Sequence, residues 1–479
     1  MQYSELGKFL FETGLRGALE QSVAGKGGVL FIDYCRVADK YPFLNELAMG
    51  LAPRPLYVLD GRVQPHPDKD MGLANFIHPP ANVYYRANWK RSPRDPQETQ
   101  SNFPRLSQLA ENFARLNANY FDYVDSNIIE DCVETAYFFS ICSMRLLRPD
   151  LVMIWNAFHP LSQAAARAAR DAQIPVLYAE YGLLPGTINV DAMGQMGQSA
   201  VLQQAAAFND IPVSDEELLD AADMLDFLRE TGMNRRQQHE PGDLPHRIAT
   251  AASGRKTVLF AGHNDFSSGV MPWDETAKEF HAPFFERASD AAEFMLSLAQ
   301  ANDWLLISKA HPFNTRSTAL SDGDNCICIG DENINACIDA ADVTATVLSQ
   351  VNYQSLIRET PVVMLGNNQL NGSGAVHAPA TLDQIEPALQ AALRDGFTTE
   401  CRAQWLAHAA RLAKAYLYRY SDDQPPEITA ADVGTLARRI TTMIDTNTFA
   451  DPFLTEKHEI KQGVARARRR SSGRIVEIH

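Results

Sequence analysis

No stretch of this 479-residue chain approaches the roughly 20 consecutive apolar residues that a membrane-spanning helix requires. A secretory leader is not expected either. Acidic Glu5 stands where such a leader carries basic residues, and no long apolar region follows it, so the protein is read as cytoplasmic. Positive charge is in deficit: 43 Lys and Arg against 59 Asp and Glu give a net charge of −16, the wrong balance for a general nucleic-acid binder. Cysteine is sparse and scattered, at positions 35, 132, 142, 326, 328, 337 and 401, with no Cys-x-x-Cys pair. Cys326-Ile-Cys328 puts two thiols on one face of a short strand, with no other ligand type nearby to complete a metal site. Reduced thiols in a reducing compartment are the expectation. Also missing are His-Glu-x-x-His, Gly-x-Ser-x-Gly and Gly-x-Gly-x-x-Gly, and Ala24-Gly-Lys26-Gly-Gly28 has neither the spacing nor the hydroxyl of a Walker loop. No metal requirement and no resident cofactor are indicated.

What is present is the composition of a globular protein, 45% hydrophobic and 21% charged, long enough for two domains. An amphipathic helical pattern over residues 4–21 precedes two short strands that end in carboxylates, Gly27–Asp33 and Pro55–Asp60. A polar, proline-rich stretch from Arg62 to Pro104 reads as loops, and helical patterns resume from Leu106 to Leu147. Pro149–Asn156, the alanine-rich helix Gln163–Arg170 and Ile174–Glu180 then make a βαβ unit, hence a parallel sheet. A second α/β series begins at Lys256 and runs through strands ending at Lys309, Gly330, Val347 and Gly366. The predicted architecture is α/β, two Rossmann-like domains facing a central cleft. The first spans residues 1–232, a linker spans 233–255, the second spans 256–425, and a C-terminal helix and basic tail occupy 426–479.

Three segments carry the candidate chemistry. In the first, Trp304–Lys309 is an apolar run followed by Ala310, His311 and Pro312. The proline holds the histidine extended at the carboxyl end of a strand, where open α/β sheets bind ligands. Lys309 and His311 together suit an anionic leaving group such as a nucleotide phosphate, although a strand-end pair that merely bonds across a loop is equally compatible with the pattern. In the second, the strand Val343–Val347, which carries Thr346, gives way to Ser349, Gln350 and a helix, so that a hydroxyl and helix-start N–H groups could hold a phosphate. Simple capping by Ser349 is the plainer account. In the third, Glu180 leaves a buried strand ahead of Gly182, whose glycine, with Gly186, is expected to keep the following loop open. A carboxylate leaving an apolar strand tends toward a raised pKa, as a general base or acid needs. Asp191 follows it. Asn156 and His159 are placed by the same scheme on the cleft, and Gly262, His263 and Asn264 on a strand-to-loop turn that suits donor contacts or ordinary Asx-turn chemistry.

Glu180-Tyr-Gly182-Leu-Leu-Pro185, Lys309-Ala-His311-Pro312 and the hydroxyl-rich junction Thr346-Val-Leu-Ser349-Gln350, in this order, resemble the bacterial capsule polysaccharide biosynthesis/export family, whose members include β-Kdo transferases. The likeness runs from Pro149 to Ala378. It implies a GT-B arrangement with the donor nucleotide on the C-terminal domain and the acceptor on the N-terminal one. Lys309, His311 and Ser349 would then meet the phosphate of a sugar nucleotide, and Glu180 would serve catalysis. Gln350 stands where a threonine is usual in that family, and Gln354 where many members carry glutamate.

The expectation is a metal-independent glycosyltransferase of surface polysaccharide, with a CMP-activated ulosonic acid such as Kdo as favoured donor and a glycan or glycolipid as acceptor. A CDP-glycerol-type phosphotransferase of teichoic-acid-like polymers is a second reading, and a non-catalytic nucleotide-sugar-binding scaffold a third. The basic tail Arg466–Arg474 reads either as a solvated end or as a contact with an anionic membrane surface.

Overall fold

A computed structural model describes residues 27–34, 37–60, 75–77, 104–120, 126–234, 238–265, 275–311, 320–330 and 332–449. The expected helix at residues 4–21, Cys35, Pro312 and the basic tail lie outside the described residues.

The first lobe is built on β1 (Val29–Asp33), α1 (Tyr41–Leu51), β2 (Leu56–Asp60), β3 (Asn75–Ile77), α2 (Pro104–Tyr120), α3 (Ser126–Leu147), β4 (Leu151–Trp155), α4 (Pro160–Asp171), β5 (Val176–Tyr181) and β6 (Thr187–Asp191). β1 pairs in parallel with both β2 and β4, and every one of its residues is buried. That explains a continuous apolar run in place of an alternating one, because helices cover both faces. On one face α2, α3 and α4 pack over Leu30, Ile32, Val152 and Ile154. On the other, α1 covers Phe31, Leu151 and Met153.

Two short helices, α5 (Ala200–Gln203) and α6 (Ala205–Asn209), and the longer α7 (Asp215–Thr231) lead out of this lobe. α7 starts on a capping box: Ser214 Oγ accepts from Glu217 N, and Glu217 Oε2 accepts from Ser214 N at 2.9 Å. It ends at Gly232 with φ of 60°, a left-handed stop that glycine adopts without strain.

The second lobe contains α8 (Leu244–Ala252), β7 (Thr257–Ala261), α9 (Glu275–His281), α10 (Ala288–Ala301), β8 (Leu305–Lys309), β9 (Cys326–Ile329), α11 (Ile334–Asp339), β10 (Val343–Thr346), α12 (Val351–Ile357), β11 (Val362–Met364), α13 (Ile385–Asp395) and α14 (Thr399–Ala415). Its five strands are all parallel in the order β11-β10-β7-β8-β9. The first strand lies at the centre and the winding reverses between β7 and β10, the crevice where such sheets take ligands.

Four differences from the sequence reading follow from packing. Residues 233–255 are not wholly a linker, since α8 buries Leu244, Ile248 and Ala252 against Leu259, Leu305 and Ile307. Inside the proline-rich stretch, Asn75–Ile77 adds β3 to the sheet edge beside β2. Gly182 and Gly186 do not hold a loop open; they close a tight hairpin in which β6 runs antiparallel to β5. Finally, the chain returns to the first lobe before residue 425. β12 (Leu417–Arg419) pairs antiparallel with β6, completing the order β12-β6-β5-β4-β1-β2-β3. α15 (Val433–Thr446) then buries Val433, Leu436, Ile440 and Met443 on the α1 side. Each such side chain contributes about 1.5–3 kcal/mol.

Candidate functional site

The carboxyl edges of the two sheets meet, which is the GT-B arrangement. Three contacts show it. Gln350, just past β10, donates from Nε2 to the carbonyls of Tyr181 at 3.3 Å and Gly182 at 3.0 Å, at the end of β5. Phe158, past β4, packs edge-on against His281 at the end of α9, 5.1 Å between ring centres. Gly197 N donates to His281 Nδ1 at 3.2 Å. A Cβ on Gly197 would lie 1.6 Å from the Phe280 carbonyl oxygen, so only glycine fits this seam.

On the first-lobe edge the functional side chains are placed by strand ends. Asn156, directly after β4, has φ of 59°, a conformation asparagine tolerates better than most residues. Its Oδ1 accepts from Phe158 N and His159 N, both at 3.0 Å, which leaves Nδ2 aimed at Glu180 Oε2, 2.8 Å away. Glu180 Oε1 accepts from Tyr181 N at 2.9 Å. Both carboxylate oxygens are therefore oriented, and the group remains half-buried at the edge. Gly182 is required here, because a Cβ would sit 1.9 Å from Thr187 Oγ1.

Beneath Glu180 lies a buried ion pair that the sequence reading did not find. Lys40 Nζ is 2.8 Å from Asp33 Oδ2, 4.7 Å above the Trp155 ring and 5.6 Å from that of Tyr181. Burial pulls the Lys40 pKa down, but Asp33 and, less strongly, Tyr181 and Glu180 outweigh it and leave the group above its usual 10.5. The Tyr181 ring also meets Trp155 edge-on at 4.9 Å and stacks on Tyr420 at 5.9 Å. Asp33 ends β1, and β1 and β4 flank the point where the first sheet changes direction. A strand-terminal carboxylate at the first strand was the one signal available. Lys40 and Tyr420 had none, since their partners are distant in sequence.

In the second lobe, Gly262 N donates to Lys309 O at 2.8 Å, and a Cβ on Gly262 would stand 2.9 Å from that oxygen and 3.2 Å from His311 N. Glycine thus lets the ends of β7 and β8 close up. His263 is buried, its ring lying 3.4 Å from Asn264 O and bonded to the Leu348 backbone; burial lowers its pKa below 6.5. His263 therefore spans the crevice between β7 and β10. Hydrogen bonds link Glu180 to Tyr181 and Tyr181 to Gln350, two residues past Leu348, to whose backbone His263 bonds beside Gly262 and His311.

Several expected residues are placed otherwise. Lys309 is buried and donates to Gly330 O at 2.6 Å, tying β8 to β9, so its ammonium is engaged by a carbonyl. Ser349 Oγ accepts from Val351 N at 3.3 Å and Ser349 N donates to Thr346 Oγ1 at 3.4 Å, which is local capping at the start of α12. Gln350 reaches across to the first lobe. His159 is the N-cap of α4, with Nδ1 accepting from Leu161 N at 3.2 Å; burial lowers its pKa to about 4 despite the nearby Asp33. Asp191 is buried and accepts from Met193 N, Gly194 N, Ala200 N and Tyr416 OH. Both Asp191 oxygens, and Nδ1 of His159, are thus taken up within the first lobe and its connection. Asn156, Glu180 and Gly182 are gathered on one edge; Gly262, His263, Asn264 and His311 share the other.

No family model and no curated protein matches the chain. Solved structures similar to it include the β-Kdo 2,4 transferase KpsC of Thermosulfurimonas dismutans, at 17% identity over 56% of this chain and 80% of that one, TM-score 0.38. The UDP-GlcNAc 2-epimerase of Methanocaldococcus jannaschii is similar at 10% identity over 79% of this chain and 98% of that one, TM-score 0.36. The spinosyn rhamnosyltransferase SpnG is similar at 11% identity over 86% of this chain and 100% of that one, TM-score 0.33.

Proposed function

We propose that the chain is a GT-B glycosyltransferase of bacterial surface polysaccharide assembly, moving a Kdo-like ulosonic acid from a CMP-activated donor to a glycan or glycolipid. The observation that carries this reading is the orientation of Glu180, gripped by Asn156 and by Tyr181 N, on the edge where the two sheets meet. The donor nucleotide occupies the crevice between β7 and β10, with His311 and the Ser349 turn toward its phosphate. As the bond from the anomeric carbon to the phosphate oxygen breaks, charge develops on that oxygen, and pre-oriented donors stabilise it without reorganising. Glu180 acts at the sugar. It removes the proton of the acceptor hydroxyl if configuration inverts, or attacks the anomeric carbon if configuration is retained through two displacements. Protein groups, in this proposal, supply the stabilisation that a metal ion gives elsewhere. The basic tail would hold the enzyme at the anionic inner face of the membrane. Among the described residues no helix is long and apolar enough to cross one.

The test is to offer CMP-Kdo and CDP-glycerol separately, with and without a chelator, and to weigh the products. A gain of one ulosonic acid residue, undiminished by chelation, is expected. Glu180→Gln should lower turnover by about 10²–10⁴-fold, the usual worth of an acid–base group, while leaving CMP affinity nearly unchanged. A glycerol phosphate adduct, nucleotide binding without transfer, or normal turnover in the variant would overturn the proposal.

A further inference from the structure

We infer that Gln350 is a positioning residue that makes the geometry of Glu180 depend on the placement of the second lobe, and that it is not a nucleotide contact. This rests on Glu180 being the reacting carboxylate. Gln350 is the N-cap residue of α12, its backbone already helical at φ −61° and ψ −11°. Its amide nitrogen carries two hydrogens, and it meets two successive carbonyl oxygens, Tyr181 O at 3.3 Å and Gly182 O at 3.0 Å. The first belongs to the Tyr181–Gly182 peptide and the second to the Gly182–Leu183 peptide. The N–H of the same Tyr181 donates to Glu180 Oε1 at 2.9 Å. On its far side the turn is already fixed, because Gly182 N donates to Thr187 O at 2.7 Å and the Gly182 α-carbon has no room for a side chain. Tyr181 is thus held by β6 from one side and by Gln350 from the other, and the carboxylate takes its orientation from the residue between them.

The residue type matters. A side-chain amide can satisfy two acceptors from one nitrogen, whereas a threonine or alanine does not reach, and an ionised glutamate would set negative oxygen against two carbonyl oxygens. Gln350 also adjoins Ser349, so any ligand that shifts the Ser349 turn shifts the tether with it.

The experiment compares Gln350→Ala and Gln350→Glu with the wild type in steady-state transfer and in CMP binding. A positioning role predicts that kcat falls roughly tenfold in Gln350→Ala, as expected for losing one or two neutral hydrogen bonds in the transition state, and further in Gln350→Glu. Donor KM and CMP affinity stay within about twofold, since uniform binding is untouched. A rise in KM and weaker CMP binding at constant kcat would instead make Gln350 a nucleotide contact and overturn the inference. Amide exchange over residues 180–187 supplies a readout that survives failure of the transferase reading. Faster exchange is expected in both variants relative to the wild type, and unchanged exchange overturns the tether whether or not the wild type transfers sugar.

Discussion

Replacing Lys40 by methionine removes one half of an ion pair whose side chains are 3% and 2% exposed, so water can neither screen the pair nor replace the missing partner. Asp33 would lose its lysine partner in the core. Breaking a buried pair from one side costs about 3–5 kcal/mol, and the cation over the Trp155 ring at 4.7 Å adds roughly 0.5–2 kcal/mol to what is lost. Asp33→Asn should cost a similar amount by stranding the ammonium. The double variant Asp33→Asn, Lys40→Met carries no unpaired charge and should recover most of the loss, because a neutral, well-packed pair is often as stable as the ionic one. Urea unfolding of the full chain, followed by tryptophan emission, measures all four corners of the cycle, and the expected coupling is at least about 2 kcal/mol. Single losses below about 1 kcal/mol that simply add would refute the buried-pair account. The pH dependence has a definite sign. A lysine raised above 10.5 by folding contributes its full stability below 10.5 and loses it as pH rises through the higher folded value. The cycle should therefore give the same coupling throughout the neutral range and weaken only in strong alkali.

Two further outcomes test the lobe contacts. Burial, outweighing four hydrogen bonds, raises the Asp191 pKa from 3.8 to about 6. The folded chain then holds the proton longer than the unfolded one, so stability contributed at this site falls by about 3 kcal/mol as pH rises through that interval and is level above it. Asp191→Asn should abolish that slope while lowering stability overall, and unfolding measured across the interval checks both; an unaltered slope contradicts the assignment. Gly197→Ala places a methyl 1.6 Å from the Phe280 oxygen, so the seam must shift, at a cost of about 1–3 kcal/mol. A lowered melting temperature and faster exchange at the amides of residues 197 and 281 are expected, and an alanine variant indistinguishable from wild type would contradict this packing.

Several of the strands legible in the sequence are covered on both faces. Leu305–Lys309 and Thr257–Ala261 read as strands because burial on both sides leaves no polar alternation. α8 escaped notice because only Leu244, Ile248 and Ala252 carry its buried stripe, amid proline, glycine and arginine. β12 is three residues long, and its partner β6 lies more than 200 residues earlier, so no local pattern announces it. The site divides along the same line. Asn156 and Glu180 were visible because each terminates a parallel strand, and strand ends in such sheets gather at one edge. The engagement of Lys309 by Gly330, and of Lys40 by Asp33, depends on side-chain direction, which composition and spacing leave open.

Asp191 explains how the two lobes are joined. The chain leaves the first lobe beyond β6 and comes back to it at β12, so two covalent passages run side by side. The segment between the first passage and Gly232 belongs physically to the second lobe. Phe208, Met224 and Leu228 share a core with Tyr353, Trp405 and Leu412, and Lys414 pairs with Glu217 at 2.9 Å. One carboxylate oxygen of Asp191 serves both passages, accepting from Ala200 N at 2.8 Å on the outward chain and from Tyr416 OH at 2.9 Å on the returning one. The other accepts from Met193 N at 2.7 Å and Gly194 N at 3.2 Å and fixes the turn between them. Asp191 therefore ties the outgoing and the returning passages to one another. Gln350 meets the first lobe separately, at Tyr181 O and Gly182 O. The Asp191 carboxylate is thus taken up by the fold, so in the proposed reaction it is Glu180, on the neighbouring strand β5, that is assigned to the acceptor.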